Sequence, residues 1–189
     1  MVLTQPPLYF GCNQCGACCR NFFIPLSHID MLRLLAAHPE LPLDGLFQLR
    51  PAKAEHAQAL LLEGGWWQLV LKHRGDDCIF LDHEGRCGSY ESRPRACRTF
   101  PFELAPTGLL QIVPDGADVW EHNCDRDPVT EPMIARSREE NILSGTEFAA
   151  YCALVACWNG WAAQQAPEHQ TLPGFFQMMQ SWTVLPGKK

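Results

Sequence analysis

The chain has little charge and no long apolar run. Only 19% of its 189 residues are charged, whereas 47% are hydrophobic and 10% are aromatic. This composition excludes a highly charged disordered chain and allows one buried core. No stretch approaches the roughly 20 consecutive apolar residues that cross a bilayer. We therefore predict a globular chain with no membrane span.

Basic character and standard enzyme motifs are also missing. The net charge is −6, and the acidic and basic residues are spread along the chain. No segment is basic enough to bind a phosphate backbone, so we predict no nucleic-acid partner. The sequence contains no P-loop, no G-x-G-x-x-G, no G-x-S-x-G and no H-E-x-x-H. These absences argue against the common nucleotide-binding, serine-hydrolase and zinc-protease classes.

The start of the chain, MVLTQPPLYFG, lacks the positively charged and apolar regions of a secretory signal. We therefore expect a cytoplasmic protein, a compartment in which thiols stay reduced. In that setting ten cysteines favour metal ligands, whereas in a secreted chain they would favour disulfides.

Eight of the ten cysteines form one ordered pattern. Four lie within eight residues of the stretch FGCNQCGACCRNF, and four follow singly. Repeated C-x2-C steps bring thiolates together within one loop, which is typical of zinc and iron–sulfur sites. The predicted metal ligands are Cys12, Cys15, Cys18, Cys19, Cys78, Cys87, Cys97 and Cys124. Cys152 and Cys157 lie in the apolar stretch YCALVACWNG and are predicted to pack as small hydrophobic side chains.

The spacing indicates two centres but does not identify the metal. Cys18 and Cys19 are adjacent and point in different directions, so they suit two different metals or opposite sides of one cluster. The C-x2-C-x2-C step resembles the way ferredoxins hold a 4Fe-4S cluster. The singly spaced cysteines suit tetrahedral zinc equally well. Iron–sulfur and zinc both stay open, and so does the division of the sulfurs between centres.

Four residues are candidate catalytic groups: Arg93, Arg95, Arg98 and His122. The three arginines flank Cys97, where they can either neutralise anionic thiolates or hold a carboxylate or phosphate of a small substrate. His122, two residues before Cys124, can replace a thiolate or position a water molecule. Of the other histidines, His83 lies inside the loop from Cys78 to Cys87, and the rest, including His73, carry no pattern.

The expected fold class is α+β: a small, irregular, metal-pinned β region with helices packed around it and a helical C-terminal third. Ser27 and Asp30 form an S-x-x-D capping pattern that predicts a helix ending before Pro39. Further helices are expected at 44–50, 132–143, 146–165 and 175–184, and strands at 66–71, 78–81 and 109–113. We expect a metal-binding domain over residues 1–130 and a helical extension, packed on the same core, over residues 131–189.

Four segments occur in an order that resembles a known family. They are FGCNQCGACCRNF, CIFLD, GRCGSYESRPRACRTFPF and HNC, which together span residues 10–125. They are similar to the YkgJ-like CxxCxxCC cysteine-cluster proteins, a zinc- or iron-chelating domain. The resemblance implies that the eight cysteines are ligands, although Asp125 stands where relatives often have proline. A relative, flagellin lysine N-methylase, adds methylation as a hypothesis.

Two classes of function fit these features. The first is a small metalloenzyme, redox or group-transferring, that acts on an anionic small molecule or modifies a protein side chain. The second is a non-catalytic structural, carrier or redox-sensing zinc protein whose C-terminal helices contact a protein partner. The sequence does not indicate the oligomeric state.

Overall fold

The computed structural model describes residues 4–113, 119, 121 and 123–183, and its fold is α+β, as predicted. The strands are β1 (Tyr9–Gly11), β2 (Phe47–Pro51), β3 (Leu60–Leu62), β4 (Gly65–Leu71), β5 (His73–Arg74), β6 (Asp77–Cys78), β7 (Phe102–Leu104), β8 (Leu110–Ile112) and β9 (Asp125–Pro128). The helices are α1 (Ala17–Asn21), α2 (His28–Ala37), α3 (Leu43–Leu46), α4 (Arg95–Thr99), α5 (Glu131–Ala162) and α6 (Leu172–Thr183), with a 3-10 turn at Pro167–His169.

The strands form small antiparallel sheets. One sheet has three strands in the order β2-β4-β3, and three ribbons pair β1 with β9, β5 with β6, and β7 with β8. The tight connection between β3 and β4 passes through Glu63 and Gly64, which have φ angles of 50° and 77°. Such left-handed pairs suit the twist of a two-residue hairpin.

Two separate hydrophobic clusters stabilise these elements. The larger one joins the three-stranded sheet to α2, α5 and α6, and its fully buried side chains include Tyr151, Trp158 and Phe175. The smaller one consists of Phe10, Phe102 and Leu110, with neighbours from β8 and β9. The β1–β9 and β7–β8 ribbons therefore pack on a core of their own.

Helix α5 is attached to the edge of the three-stranded sheet. The Asn159 side chain accepts a hydrogen bond from Leu61 N–H at 2.9 Å and donates one to Ala59 O at 2.8 Å. The indole N–H of Trp158 donates to Leu61 O at 3.0 Å. These contacts satisfy backbone groups of β3 that an open edge would leave exposed.

Helix α2 begins with the predicted capping box. The Ser27 hydroxyl accepts from Asp30 N–H at 3.1 Å, and the Asp30 carboxylate accepts from Ser27 N–H at 3.1 Å. Asp30 is 2% exposed and also binds two arginines: Oδ1 accepts from Arg33 Nη1 at 3.0 Å and from the backbone N–H of Arg95 at 2.9 Å. One buried carboxylate thus holds the first turns of both α2 and α4.

Three predicted elements differ in the structure. The expected helix at 44–50 is wrong after Leu46, because residues 47–51 pair with β4 along their whole length. The two helices expected at 132–143 and 146–165 are one helix, α5, and Gly145 lies inside it. A single exposed glycine costs a helix only about 1 kcal/mol relative to alanine. The strand expected at 78–81 is limited to Asp77–Cys78.

The other predicted elements agree with the structure. The strands expected at 66–71 and 109–113 correspond to β4 and β8, and the helix expected at 175–184 corresponds to α6, with Val184 outside the described residues. Among the helices of the described ranges, none combines the length and apolarity needed to cross a bilayer. The division of the chain at residue 130 stays a prediction.

Replacing Asp30 with Asn should destabilise the fold by about 3 kcal/mol, because it removes one partner from a buried, charge-assisted network. The free energy of unfolding, measured with a denaturant at constant metal content, tests this. Asp44→Asn is the matched control: Asp44 is an exposed acidic residue in the first turn of α3, and its loss should cost less than about 0.5 kcal/mol. Equal stability of the two variants would contradict the role assigned to Asp30.

Candidate metal centre

The N-terminal cysteine loop is held against the turn at residues 81–86. Gly16 has a φ of 72°, and a Cβ atom there would lie 2.6 Å from Gly85 O and 2.8 Å from the Leu81 side chain. Arg20 donates to Cys15 O at 3.2 Å and lies 3.4 Å from the Asp77 carboxylate. The absence of a side chain at position 16 therefore permits the close approach of the cysteine loop to this turn. The Arg20–Asp77 ion pair connects the same loop to β6.

Strand pairing places Cys12 opposite Cys124. In the antiparallel ribbon, Gly11 of β1 faces Asp125 of β9, so the next residues outward are Cys12 and Cys124. The Asn13 side chain closes this end by donating to Asn123 O at 2.9 Å. Burial, with the nearby thiols of Cys15 and Cys12, raises the pKa of Cys124 to about 11.

A second group of sulfurs gathers around β6. Cys78 lies on β6 and Cys97 lies on α4. Cys87 follows the turn after β6, where its backbone forms an isolated antiparallel β-bridge with Leu81. Burial is the main cause that raises the pKa of all three thiols, that of Cys78 to about 11 and that of Cys97 well above its usual range. The charges of Cys78 and Cys87 both raise the pKa of Cys97, and that of Cys87 raises the pKa of Cys78, so the three sulfurs lie close together.

Cys18 and Cys19 lie on α1 between these two groups. The Cys19 thiol donates a hydrogen bond to the Cys18 sulfur, which lowers the pKa of Cys18 to about 7 and raises that of Cys19. Cys19 also interacts with Cys78 and Cys87 and packs against the larger hydrophobic cluster. Cys18 interacts with Cys124 of one group and with Cys78 and Cys97 of the other.

The three candidate arginines have different surroundings. Arg93 lies 3.9 Å over the ring of Tyr90, and its charge lowers the pKa of Cys18, Cys87 and Cys97. Its guanidinium is therefore the one that acts on the thiols.

The other two arginines are bonded within the scaffold. Arg95 donates to Glu147 at 3.0 Å and 3.1 Å and forms an ion pair with Glu140, both on α5. Arg98 donates to Arg93 O at 3.0 Å and to Glu91 O, which holds the turn before α4. His122 lies outside the described residues.

His73 carries no pattern in the sequence, yet it lies beside a candidate ligand. In the β5–β6 ribbon, His73 is the direct cross-strand partner of Cys78. It is 8% exposed, and within the described part of the chain both of its ring nitrogens are buried without a hydrogen-bond partner. The signal that could have found it is the turn at Gly75-Asp76, because a two-residue hairpin there pairs residues 73 and 78.

The cysteines of the described residues are grouped as thiols. All ten cysteines are free thiols. Among the described residues, no three His, Cys, Asp or Glu side chains converge closely enough to hold a metal ion as they stand. Sulfur donors nevertheless suit a soft cation such as zinc or iron. A cation bound between ionised thiolates also offsets the repulsion between their negative charges.

An open depression adjoins the second group of sulfurs. Its volume is about 500 Å³, and its lining includes Phe80, Gly88, Arg74, His83 and Asp82. Phe80 and Gly88 lie within two residues of Cys78 and Cys87, respectively. The depression therefore shares its wall with the loop that carries these two cysteines.

These features describe an α+β protein in which eight cysteines of one sequence pattern lie in neighbouring groups. The model of the CxxCxxCC family, described as a "putative zinc- or iron-chelating domain", matches residues 11–152. Because the match covers about three quarters of the chain, the protein belongs to this family, as the resemblance predicted. The match also continues past residue 125 into α5. No solved structure matches the chain significantly.

Metal binding should release protons. Cys19, Cys78, Cys87, Cys97 and Cys124 have raised pKa values and are thiols at pH 8, whereas Cys18, with a pKa of about 7, is mostly thiolate. We expect roughly five or more protons released per chain when zinc is added at pH 8 to metal-free protein, and an affinity that falls as the pH is lowered.

A pH-indicator titration of the unbuffered protein measures this release. Calcium is the control, since it prefers oxygen ligands and should release no thiol protons. Release of fewer than about two protons per chain with zinc would show that the raised-pKa thiols are not ligands.

Proposed function

We propose that the protein holds two metal centres, each with four cysteine ligands. The outer centre would use Cys12, Cys15, Cys18 and Cys124, and the inner centre Cys19, Cys78, Cys87 and Cys97. The observation that carries this proposal is that the sulfurs gather at two places: Cys124 lies beside Cys12 at the end of the β1–β9 ribbon, and Cys78 lies beside Cys87 and Cys97 around β6 and α4, with Cys18 near both.

The two sets lie on different hydrophobic clusters. Cys124 packs against the smaller cluster, whereas Cys78 belongs to the larger one and Cys19 packs against it. This arrangement supports the assignment of Cys19 to the inner centre. It leaves Cys18 to complete the C-x2-C-x2-C set of the outer centre, although its sulfur is within electrostatic reach of both.

The proposed centres are closed, because four thiolates fill the coordination sphere of zinc or of one cubane cluster. A site with four thiolates around a divalent ion carries two negative charges. The Arg93 guanidinium is positioned to offset part of that charge at the inner centre. Closed sites favour a structural, carrier or redox-sensing role in the cytoplasm, with zinc or an iron–sulfur cluster as the cofactor.

A metalloenzyme is the second candidate, and the depression next to the Cys78–Cys87 loop favours it. Arg74 lines that depression and can contact an anionic small molecule there, next to the carboxylates of Glu40 and Asp82, which also line it. Redox chemistry or group transfer, such as methylation, belongs to this alternative. Arg93, which acts on the thiols, is the candidate catalytic arginine in that case.

Elemental analysis of protein purified without air identifies the cofactor. An iron–sulfur protein should be brown and absorb near roughly 400 nm. A zinc protein should be colourless and contain about two zinc ions per chain. A natively folded, metal-free preparation would contradict both versions.

Single substitutions test the division of the sulfurs. Cys124→Ser should remove the outer metal and leave the inner one, and Cys97→Ser should do the reverse, so that each halves the metal content. Cys157→Ser is the matched control, because Cys157 is exposed on α5, and it should retain full content. Complete metal loss in both ligand variants would indicate one shared centre and would refute the two-centre assignment.

A further inference from the structure

His73 is a buried histidine beside one of the candidate ligands. Its side chain is 8% exposed, and neither Nδ1 nor Nε2 has a hydrogen-bond partner among the residues that the structure describes. Buried polar groups in native proteins are nearly always hydrogen-bonded, so an imidazole with two unsatisfied nitrogens points to a missing partner.

The strand register identifies the nearest candidate partner. His73 and Cys78 face each other across the β5–β6 ribbon. Ile79 N–H donates to Lys72 O at 2.9 Å, so the pair 72–79 is hydrogen-bonded and the pair 73–78 next to it is not. In non-hydrogen-bonded pairs the Cα atoms approach to about 4.5 Å, and the two side chains lie on the same face of the ribbon. Cys78 is thus the side chain directly beside the imidazole.

The imidazole is fixed from its other side. Its ring stacks on Phe23 with 4.7 Å between centroids and 26° between planes, and Arg50 lies 3.5 Å from the centroid of the same Phe23 ring. The backbone N–H of His73 donates to the Gln48 side chain at 3.2 Å. These contacts orient the ring without using either nitrogen.

We propose that His73 donates an N–H hydrogen bond to the Cys78 thiolate when the inner centre holds its metal. This inference rests on the proposed function, in which Cys78 is a ligand. A metal-bound thiolate is a stronger hydrogen-bond acceptor than a neutral thiol. Groups that donate hydrogen bonds to metal ligands tune the metal affinity and the redox potential of the site. His73 is therefore a positioning residue that raises the affinity of the inner centre.

Two substitutions separate a donor role from a packing role. His73→Phe retains an aromatic ring to stack on Phe23 but has no donor, whereas His73→Gln loses the ring and retains an N–H donor. Cobalt(II) is the probe, loaded into the full chain in competition with a chelator and followed by its thiolate-to-metal absorption. If His73 is the donor, His73→Phe should lower the affinity of the inner centre by about 10- to 100-fold, and His73→Gln should stay closer to the wild type.

His28→Phe is the matched control. His28 Nδ1 is also buried without a hydrogen-bond partner in the described ranges, but the ring stacks on Tyr151 at the junction of α2 and α5. Its replacement should leave cobalt affinity unchanged. The same affinity in His73→Phe as in the wild type would overturn the proposal, and so would the opposite order, with His73→Gln weaker than His73→Phe.

Direct coordination is a distinct outcome that the cobalt spectrum separates. A d–d absorption band typical of four sulfur ligands is expected in the wild type. A band typical of mixed sulfur and nitrogen ligands, lost in both His73 variants, would overturn the hydrogen-bond proposal in favour of a histidine ligand. If the wild-type chain binds no cobalt at all, the proposed function fails instead, so the two failures are distinguishable.

Discussion

The buried carboxylate of Asp30 is the constraint on which the geometry of the site depends. It accepts hydrogen bonds from Ser27, from the Arg33 side chain and from the backbone of Arg95. Helix α4 is only five residues long and carries Cys97. A helix this short is not stable by itself, because nucleation is unfavourable and few of its backbone groups have intrahelical partners. The position of Cys97 on α4 thus depends on Asp30, which lies more than sixty residues earlier in the chain.

Charge repulsion among thiolates is the second organising factor. Burial and repulsion from neighbouring thiolates raise the pKa values of Cys78, Cys97 and Cys124, which favours their neutral thiol forms. A cation reverses this preference, because it converts a repulsive set of anions into ligands. Cys124 packs against the smaller hydrophobic cluster, whereas Cys78 and Cys19 belong to or pack against the larger one. Each of the two proposed centres would therefore have its own structural support.

Local signals in the sequence were sufficient for part of this picture. The C-x2-C steps depend on residues a few positions apart, and the Ser27–Asp30 capping box is complete within one helical turn. The α+β class and the family also followed from such patterns. The strand at residues 47–51 did not follow from local patterns. The sequence of this segment favours a helix, but its hydrogen bonding to β4 makes it a strand.

Longer-range features were beyond the reach of local patterns. Arg93, Arg95 and Arg98 occur within six residues and look equivalent in the sequence, yet Arg95 pairs with carboxylates on α5 and Arg93 acts on the thiols. Those carboxylates lie more than forty residues away, so no spacing rule connects them. The place of His73 depends in the same way on strand register, which only the folded hairpin defines.

The ion pairs of Arg95 have a consequence for the C-terminal part of the chain. Glu140 and Glu147 connect α5 to α4, two residues from Cys97. Interactions that share a structural element are reciprocal. In the proposed arrangement, a cation bound by Cys97 would therefore strengthen the packing of α5 on α4, although α5 carries none of the eight cysteines of the motif.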